Sequence, residues 1–484
     1  MSLRQKTIVG LQWSFTDSFV SQATEITTGI ILARLLSPRE FGLVGMVTFV
    51  IAVSQSFIDS GFTEALVRKQ DCTEEDFSTV FYYNLIVAVC LYAVLFAASN
   101  PIALFFHEPK LTQLVRIISF GLILGSFGVV QSAILQKNIN FKLQTKVSII
   151  ASLLSGILSI SMAYAGWGVW SLVWKSLSYT FLSSCCLWIW SMWRPLPVFS
   201  VRSFREMFGF GSKLMASGVL NTVFSNIYYV VIGKIFSSVE LGYFTKAEQF
   251  QESPSRNIYQ VIQRVSYPVL ASLQGDTARL KRGYQELAKN AMFISCILMA
   301  GLAAVADSMV LTLIGEQWRQ VVPYLRILCF SGALFPLQSL NLSILKVQGR
   351  SDLFLGIEVL KKSLVIPVVA AGYVFGMTTL VVGIAVSSVG AYFMNSYWSG
   401  KFIGYSMFQQ IRDIAPSFGF AAAMGLVVWG AGQIVPLSGV PLLLAQICLG
   451  GLIVVGTGEV TRYDVYIQIR DIALRYIRQS HAPG

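Results

Sequence analysis

The stretch Ile31-Leu32-Ala33-Arg34-Leu35-Leu36-Ser37-Pro38-Arg39-Glu40-Phe41-Gly42 recurs without gaps, 200 residues later, as Val231-Ile232-Gly233-Lys234-Ile235-Phe236-Ser237-Ser238-Val239-Glu240-Leu241-Gly242. Ser, Glu and Gly are identical in the two copies, and Lys replaces Arg. A second correspondence, at an offset of 210, pairs Arg116-Ile117-Ile118-Ser119-Phe120 with Arg326-Ile327-Leu328-Cys329-Phe330, and Ile134-Leu135 with Ile344-Leu345. Two matches in the same order point to an internal repeat.

The sequence around these segments is apolar. Of 484 residues, 55% are hydrophobic and 12% charged, about half the charged fraction of a soluble domain. A soluble globule is excluded, and an all-α polytopic membrane protein is expected. Hydropathy windows place about 14 spans, near 8–33, 41–59, 80–99, 112–135, 145–165, 168–193, 209–236, 250–271, 290–314, 324–346, 354–375, 378–399, 416–436 and 439–458. With a cytoplasmic N-terminus, 25 of the 36 basic residues fall in inside segments and 8 outside. That split obeys the positive-inside rule and puts both termini in the cytoplasm.

The matched segments lie six spans apart, an even number, so both copies cross the membrane in the same direction. The expected architecture is two parallel-repeat six-helix lobes around a central cavity, the arrangement of many secondary transporters. The division reads 1–200 and 201–403 for the lobes, 404–458 for two additional spans and 459–484 for a basic cytoplasmic tail. The first span is expected to be retained, because a long apolar segment carrying Asp17 and Glu25 follows the basic opening, with no small-residue cleavage site.

The remaining chemistry is sparse. The net charge of +12 is a topology signal, since no basic run sits in enough soluble sequence to bind nucleic acid. Seven cysteines show no CxxC spacing, so neither a metal cluster nor a disulfide framework is expected. Only His107 and His481 are present, which excludes a histidine triad or an HExxH site, and no P-loop provides for ATP. No catalytic residue, metal or cofactor is expected, and the loops leave no room for a catalytic domain.

Polar residues inside the spans are the informative ones. Ser14, Asp17, Ser18, Ser21, Glu25 and Thr28 share one face of span one. The 200-residue shift puts Ser217, Asn221, Ser225 and Tyr228 at the positions of Asp17, Ser21, Glu25 and Thr28 in span seven. Span eight shows Glu252, Arg256, Tyr259, Gln263 and Tyr267 on one face, with Arg264 beside them. Span two carries Thr48, Gln55 and Asp59, and span six Ser171, Lys175 and Ser178.

An ionisable group at bilayer depth costs about 2.5–3.5 kcal/mol or more, so these stripes face water or one another. One reading is a hydrated substrate pathway through Asp17, Ser21, Glu25, Asp59, Lys175, Asn221, Glu252, Arg256, Tyr259, Gln263 and Arg264. The other is satisfied helix packing and interhelical ion pairs. Basic groups on such a path suit an anionic headgroup, while Asp17 and Glu25 suit uptake of H+ or Na+. Glu358 with Lys361 and Lys362 reads as a local surface pair.

The opening MSLRQKTIVGLQWS, the segment 32–42, Leu241-Gly242-Tyr243-Phe244 with Ala247, Tyr267-Pro268, and Gly315-Glu316-Gln317-Trp318 before Pro323 resemble the polysaccharide transporter family. This is the family of lipopolysaccharide O-antigen and colanic acid exporters, within the multidrug/oligosaccharidyl-lipid/polysaccharide flippase superfamily. The resemblance spans roughly the first twelve spans. It implies a flippase of a bacterial plasma (inner) membrane that moves an undecaprenyl-pyrophosphate-linked oligosaccharide by alternating access. The implied partners are that lipid-linked substrate, membrane lipids, a polysaccharide polymerase and glycosyltransferases. The alternatives are a drug/cation antiporter or a peptidoglycan-precursor flippase of the same superfamily. A membrane polysaccharide polymerase or ligase is a further alternative, against which the short outward loops argue.

Overall fold

Helices follow one another with only brief breaks in a computed structural model of the chain, which describes residues 3–59, 61–69 and 71–480; the side chains of Asp17, Asp59, Gln263 and Arg264 lie outside that description. The helices are α1 (Leu3–Leu35), α2 (Pro38–Asp59), α3 (Phe62–Arg68), α4 (Glu74–Phe106), α5 (Leu111–Lys137), α6 (Phe141–Tyr164), α7 (Val169–Trp190), α8 (Val201–Ile235) and α9 (Ser238–Ser272). They continue as α10 (Thr277–Ala304), α11 (Ala306–Leu313), α12 (Val321–Val347), α13 (Ser351–Ser363), α14 (Val365–Phe375), α15 (Met377–Ile403), α16 (Met407–Ile434), α17 (Gly439–Thr461) and α18 (Asp464–Ser480). No strand occurs among the described residues.

Helix boundaries carry the same offsets as the sequence matches. The ends of α1 and α8, Leu35 and Ile235, and the starts of α2 and α9, Pro38 and Ser238, are each 200 residues apart. Both ends of α5 and α12 are 210 apart, at Leu111 and Val321 and at Lys137 and Val347.

Ten helical stretches among the described residues are long and apolar enough to cross a membrane. The four expected spans missing from that set correspond to α1, α7, α9 and the pair α13 and α14. Three of them carry polar stripes, which lower their mean hydropathy. The fourth is broken. Pro367 has no N–H to donate to the carbonyl of Ser363 and its ring clashes there, and α13 ends at Ser363.

Chain contacts divide the protein into Met1–Thr245 and Lys246–Gly484. In the first unit, α1 packs on α6, α6 on α7, α5 on α4 and α7, and α2 on α8. One of its cores gathers Phe62, Leu66, Val80, Phe81, Val130 and Met207. At the base of α4, Thr73 and Asp76 form a reciprocal capping box that satisfies two end donors. Asp76 also receives Lys69 at 2.8 Å. Its carboxylate, with that of Glu206, holds the Lys69 ammonium pKa above its ordinary value, against the opposing effect of desolvation.

The two copies of the repeated segment meet in this unit, and the meeting is reciprocal. A Cβ on Gly42 would sit 1.6 Å from the Ser238 carbonyl oxygen, and a Cβ on Gly242 would sit 2.0 Å from that of Pro38. The repeated glycine is therefore a crossing point at which each copy's helix start touches the other's backbone, the close approach that small residues permit between membrane helices.

The second unit packs α10 on α12 and α16, α12 on α15, α14 on α15 and α16 on α17. Its interior holds a polar network. Tyr284 donates to Asn341 Oδ1 at 2.9 Å, Ser399 donates to the same oxygen, and Asn341 Nδ2 donates to Gln410 Oε1 at 3.3 Å. Tyr284, Asn341 and Ser399 are fully buried. Asn341→Leu removes the acceptor of two hydroxyls, and is expected to lower stability by about 1–3 kcal/mol. Thermal unfolding of the detergent-purified variant measures it; an unchanged midpoint would show that the network contributes nothing. Lys361 and Glu358 form the expected local ion pair.

Candidate functional site

A cavity of about 500 Å³ opens within the first unit. Helix α1 contributes Ser21, Glu25 and Thr28; α2, Thr48; α6, Ser152 and Ser155; α7, Lys175, Ser176 and Tyr179; and the start of α9, Thr245. Each arrives by helical spacing. Residues 21, 25 and 28 stack on one face of α1, as do 152 and 155 on α6, because residues three and four apart are neighbours on a helix.

Among the described residues, the charges in this cavity are one of each sign. Lys175 is half-buried and Glu25 exposed to the cavity; Lys175 feels the charge of Glu25, yet the two form no direct ion pair. The facing groups leave room between them. Hydroxyls of Ser21, Thr28, Thr48, Ser152, Ser155, Ser176, Tyr179 and Thr245 share the wall with the apolar Phe41, Val44 and Leu172, so the cavity is amphipathic, with its donors and acceptors set in an apolar surround. A ligand with hydroxyl or phosphate oxygens finds partners there, and its apolar faces find Phe41, Val44 and Leu172.

Packing and cavity divide the α1 stripe between them. Ser21 Oγ lies 3.1 Å from Ser148 Oγ of α6. Thr28 is buried, 2.8 Å from where a Cβ on Gly156 would stand. Both residues border the cavity while tying α1 to α6. Glu25, one turn from each, makes no ion pair among the described residues. Further along α2, Ser56 and Thr222 of α8 bring their hydroxyls to 2.7 Å.

Of the sequence candidates, Ser21, Glu25 and Lys175 come together in this cavity. Asn221 lies exposed on α8 with Ser217 and Ser225, apart from it. In the second unit Glu252 and Arg256 are exposed on α9, with no ion pair for either among the described residues. Tyr259 packs its ring 5.1 Å from that of Phe335. Asp17, Asp59, Gln263 and Arg264 fall outside the described side chains. The α6 contribution was missed by sequence reasoning, although serines at 152 and 155 carry the three-residue spacing that marks a face. Ser176 and Tyr179, beside Lys175, were missed as well.

The family profile described as "Polysaccharide biosynthesis protein" matches residues 31–323. The teichuronic acid biosynthesis protein TuaB of Bacillus subtilis (strain 168) is 27% identical over 439 residues, covering 89% of each chain. The lipopolysaccharide biosynthesis protein WzxC of Escherichia coli (strain K12) is 24% identical over 378 residues, covering 77% of this chain and 76% of its own. Among solved structures, the lipid II flippase MurJ in its inward closed conformation superposes with a TM-score of 0.69 at 12% identity, over 97% of this chain and 99% of that one. At that identity the likeness establishes the fold.

Proposed function

The chain belongs to the polysaccharide biosynthesis protein family, and from that premise we propose that it is a flippase for a lipid-linked saccharide in polysaccharide assembly. It is a multi-pass membrane transporter and not an enzyme. Its substrate is an oligosaccharide repeat unit on undecaprenyl pyrophosphate, moved from the cytoplasmic to the outer leaflet of a bacterial plasma membrane. One observation carries the reading: Glu25 and Lys175 share an amphipathic cavity, with eight hydroxyl side chains on its wall, inside a helical membrane unit. The cost of placing such groups in the bilayer is compensated where they meet a polar cargo.

The names of the relatives, for teichuronic acid and lipopolysaccharide biosynthesis, and the flippase whose fold the chain shares support the same conclusion. In this reading α1, α7, α9 and the α13–α14 pair cross the membrane with the ten apolar stretches, giving fourteen crossings with both termini in the cytoplasm. Residues 1–200 and 201–403 form the two repeated lobes, with 404–458 and the tail 459–484 appended. Glu25 and Asp17 are the carboxylates that take up H+ or Na+, and Asn221 in the first unit and Glu252, Arg256, Tyr259, Gln263 and Arg264 in the second are further pathway residues. Glycosyltransferases supply the substrate and a polymerase receives it.

Deleting the gene and analysing lipid-linked saccharides tests the proposal. Complete repeat units are expected to accumulate on the cytoplasmic face. Accumulation on the outer face would place the protein after translocation and overturn the flippase reading.

A further inference from the structure

A second cavity in the first unit, about 450 Å³, is lined by Arg39, Lys110, Gln113, Trp167 and Trp170, with Glu40 and Gly168 at its wall. It is formed by the turns after α1, α4 and α6, which lie on the outer side if the N-terminus is cytoplasmic. It is separate in its lining from the Glu25–Lys175 cavity.

The turn before α7 holds its tryptophan out by means of two glycines. Gly166 and Gly168 have φ of +79° and +56°, the left-handed region that side chains disfavour. Gly168 also lacks room for a side chain, because Glu40 Oε1 lies 2.4 Å from where its Cβ would stand. Between them Trp167 is 55% exposed, and Trp170 lines the same cavity. Indole faces of this kind stack against the apolar faces of flat rings while leaving polar edges free.

The charged residues separate into structural and available ones. Glu40 is committed to the turn, accepting from the Ser37 backbone N–H at 2.7 Å and the Ser37 hydroxyl at 3.0 Å. Arg39 is held by Glu108 at 2.9 Å, which also accepts from Ser238 at 2.8 Å, so one end of the guanidinium is fixed while its side chain stays 55% exposed. Lys110 is exposed and has no ion pair among the described residues. The repeat points to the same division. Ser37, Glu40 and Gly42 recur as Ser237, Glu240 and Gly242, but Val239 stands at the position of Arg39, and Gln320 at that of Lys110. Turn formation needs the first three residues and does not need the two cations.

Two indoles, an amide from Gln113 and two cations line one cavity, a set of groups that suits a sugar ring bearing a carboxylate. The rings stack and the amide pairs with hydroxyls, while Lys110 and the free edge of Arg39 pair with the acid. We propose that this cavity is an outer-face docking site for an acidic saccharide, which holds the sugar end of the cargo as it leaves. The inference rests on the flippase reading for its direction and on the cavity alone for its ligand.

The test uses the full chain in nanodiscs, titrated with trigalacturonate, maltotriose and inorganic pyrophosphate. Trigalacturonate is expected to bind at least about tenfold more tightly than maltotriose, and Lys110→Ala to weaken it by about tenfold. Trp167→Ala is expected to weaken it similarly and Trp167→Phe by no more than about threefold, with melting temperatures of all variants matching the parent. Equal binding of maltotriose, preference for pyrophosphate, or Trp167→Ala binding like the parent overturns the proposal. Flux of lipid-linked saccharide is measured on the same variants. Absent binding with intact flux removes this site and leaves the proposed function standing, whereas absent flux in the parent removes the function.

Discussion

Lys175→Met is expected to reduce saccharide export at least about tenfold, equivalent to about 1.4 kcal/mol, with the protein still in the membrane. Lys175 supplies the cation of the cavity formed by α1, α2, α6, α7 and the start of α9, and among the described residues no second Lys or Arg lines it. An anionic headgroup in that space loses its point charge when the ammonium is removed. Glu25 is then the one charged residue left among the described lining, a carboxylate without a compensating cation. Three further variants, one of them Glu25→Gln alone, separate these effects. Lys175→Arg keeps the charge and is expected to retain most export, while Glu25→Gln combined with Lys175→Met is expected to cost less than the two single losses added, by about 0.5–3 kcal/mol of coupling. Strict additivity in export assays of the two single losses and the double variant would show that Glu25 and Lys175 do not act together.

Gly42→Ala is expected to be the most damaging single methyl in the first unit. The added carbon meets a backbone carbonyl at 1.6 Å, and no side-chain rotation relieves it. The start of α2 must move off Ser238, which also loosens the return contact of Gly242 on Pro38. Overpacking of a tight contact costs about 1–3 kcal/mol when side chains can adjust, so a backbone clash is expected to reach about 4 kcal/mol. Gly242→Ala should behave alike, and the double variant should cost little more than either, because both open one crossing. Thermal unfolding of the purified variants measures this; a Gly42→Ala midpoint within a few degrees of the parent would show that the crossing is not tight.

Much of this was legible in the residues because repetition is visible without structure. Ser37, Glu40 and Gly42 recur at 237, 240 and 242, and helix ends fall on the same offset. What the offset does not reveal is that the two copies touch, since identity at a distance of 200 carries no information on proximity. Glu25 and Lys175 were legible singly, as charges in apolar stretches. Their facing depends on how α1 and α7 both pack on α6, and a pattern on one helix does not specify its neighbour. Ser152 and Ser155 stayed hidden because serine within a membrane helix also satisfies its own helix carbonyls, as Ser155 does with Ser152 at 3.1 Å. The break at Ser363 was available in principle, because Pro367 sits four residues on and Lys361 and Lys362 precede it, but the apolar residues on either side outweighed these signals.

The most direct test of the central claim is translocation in vesicles holding only this protein and a short-chain polyprenyl-pyrophosphate saccharide. A membrane-impermeant lectin reports how much saccharide reaches the far leaflet. The account predicts protein-dependent exposure of the initially shielded pool, lost with Lys175→Met. Exposure no greater than in protein-free vesicles, with the protein folded and inserted, would contradict it.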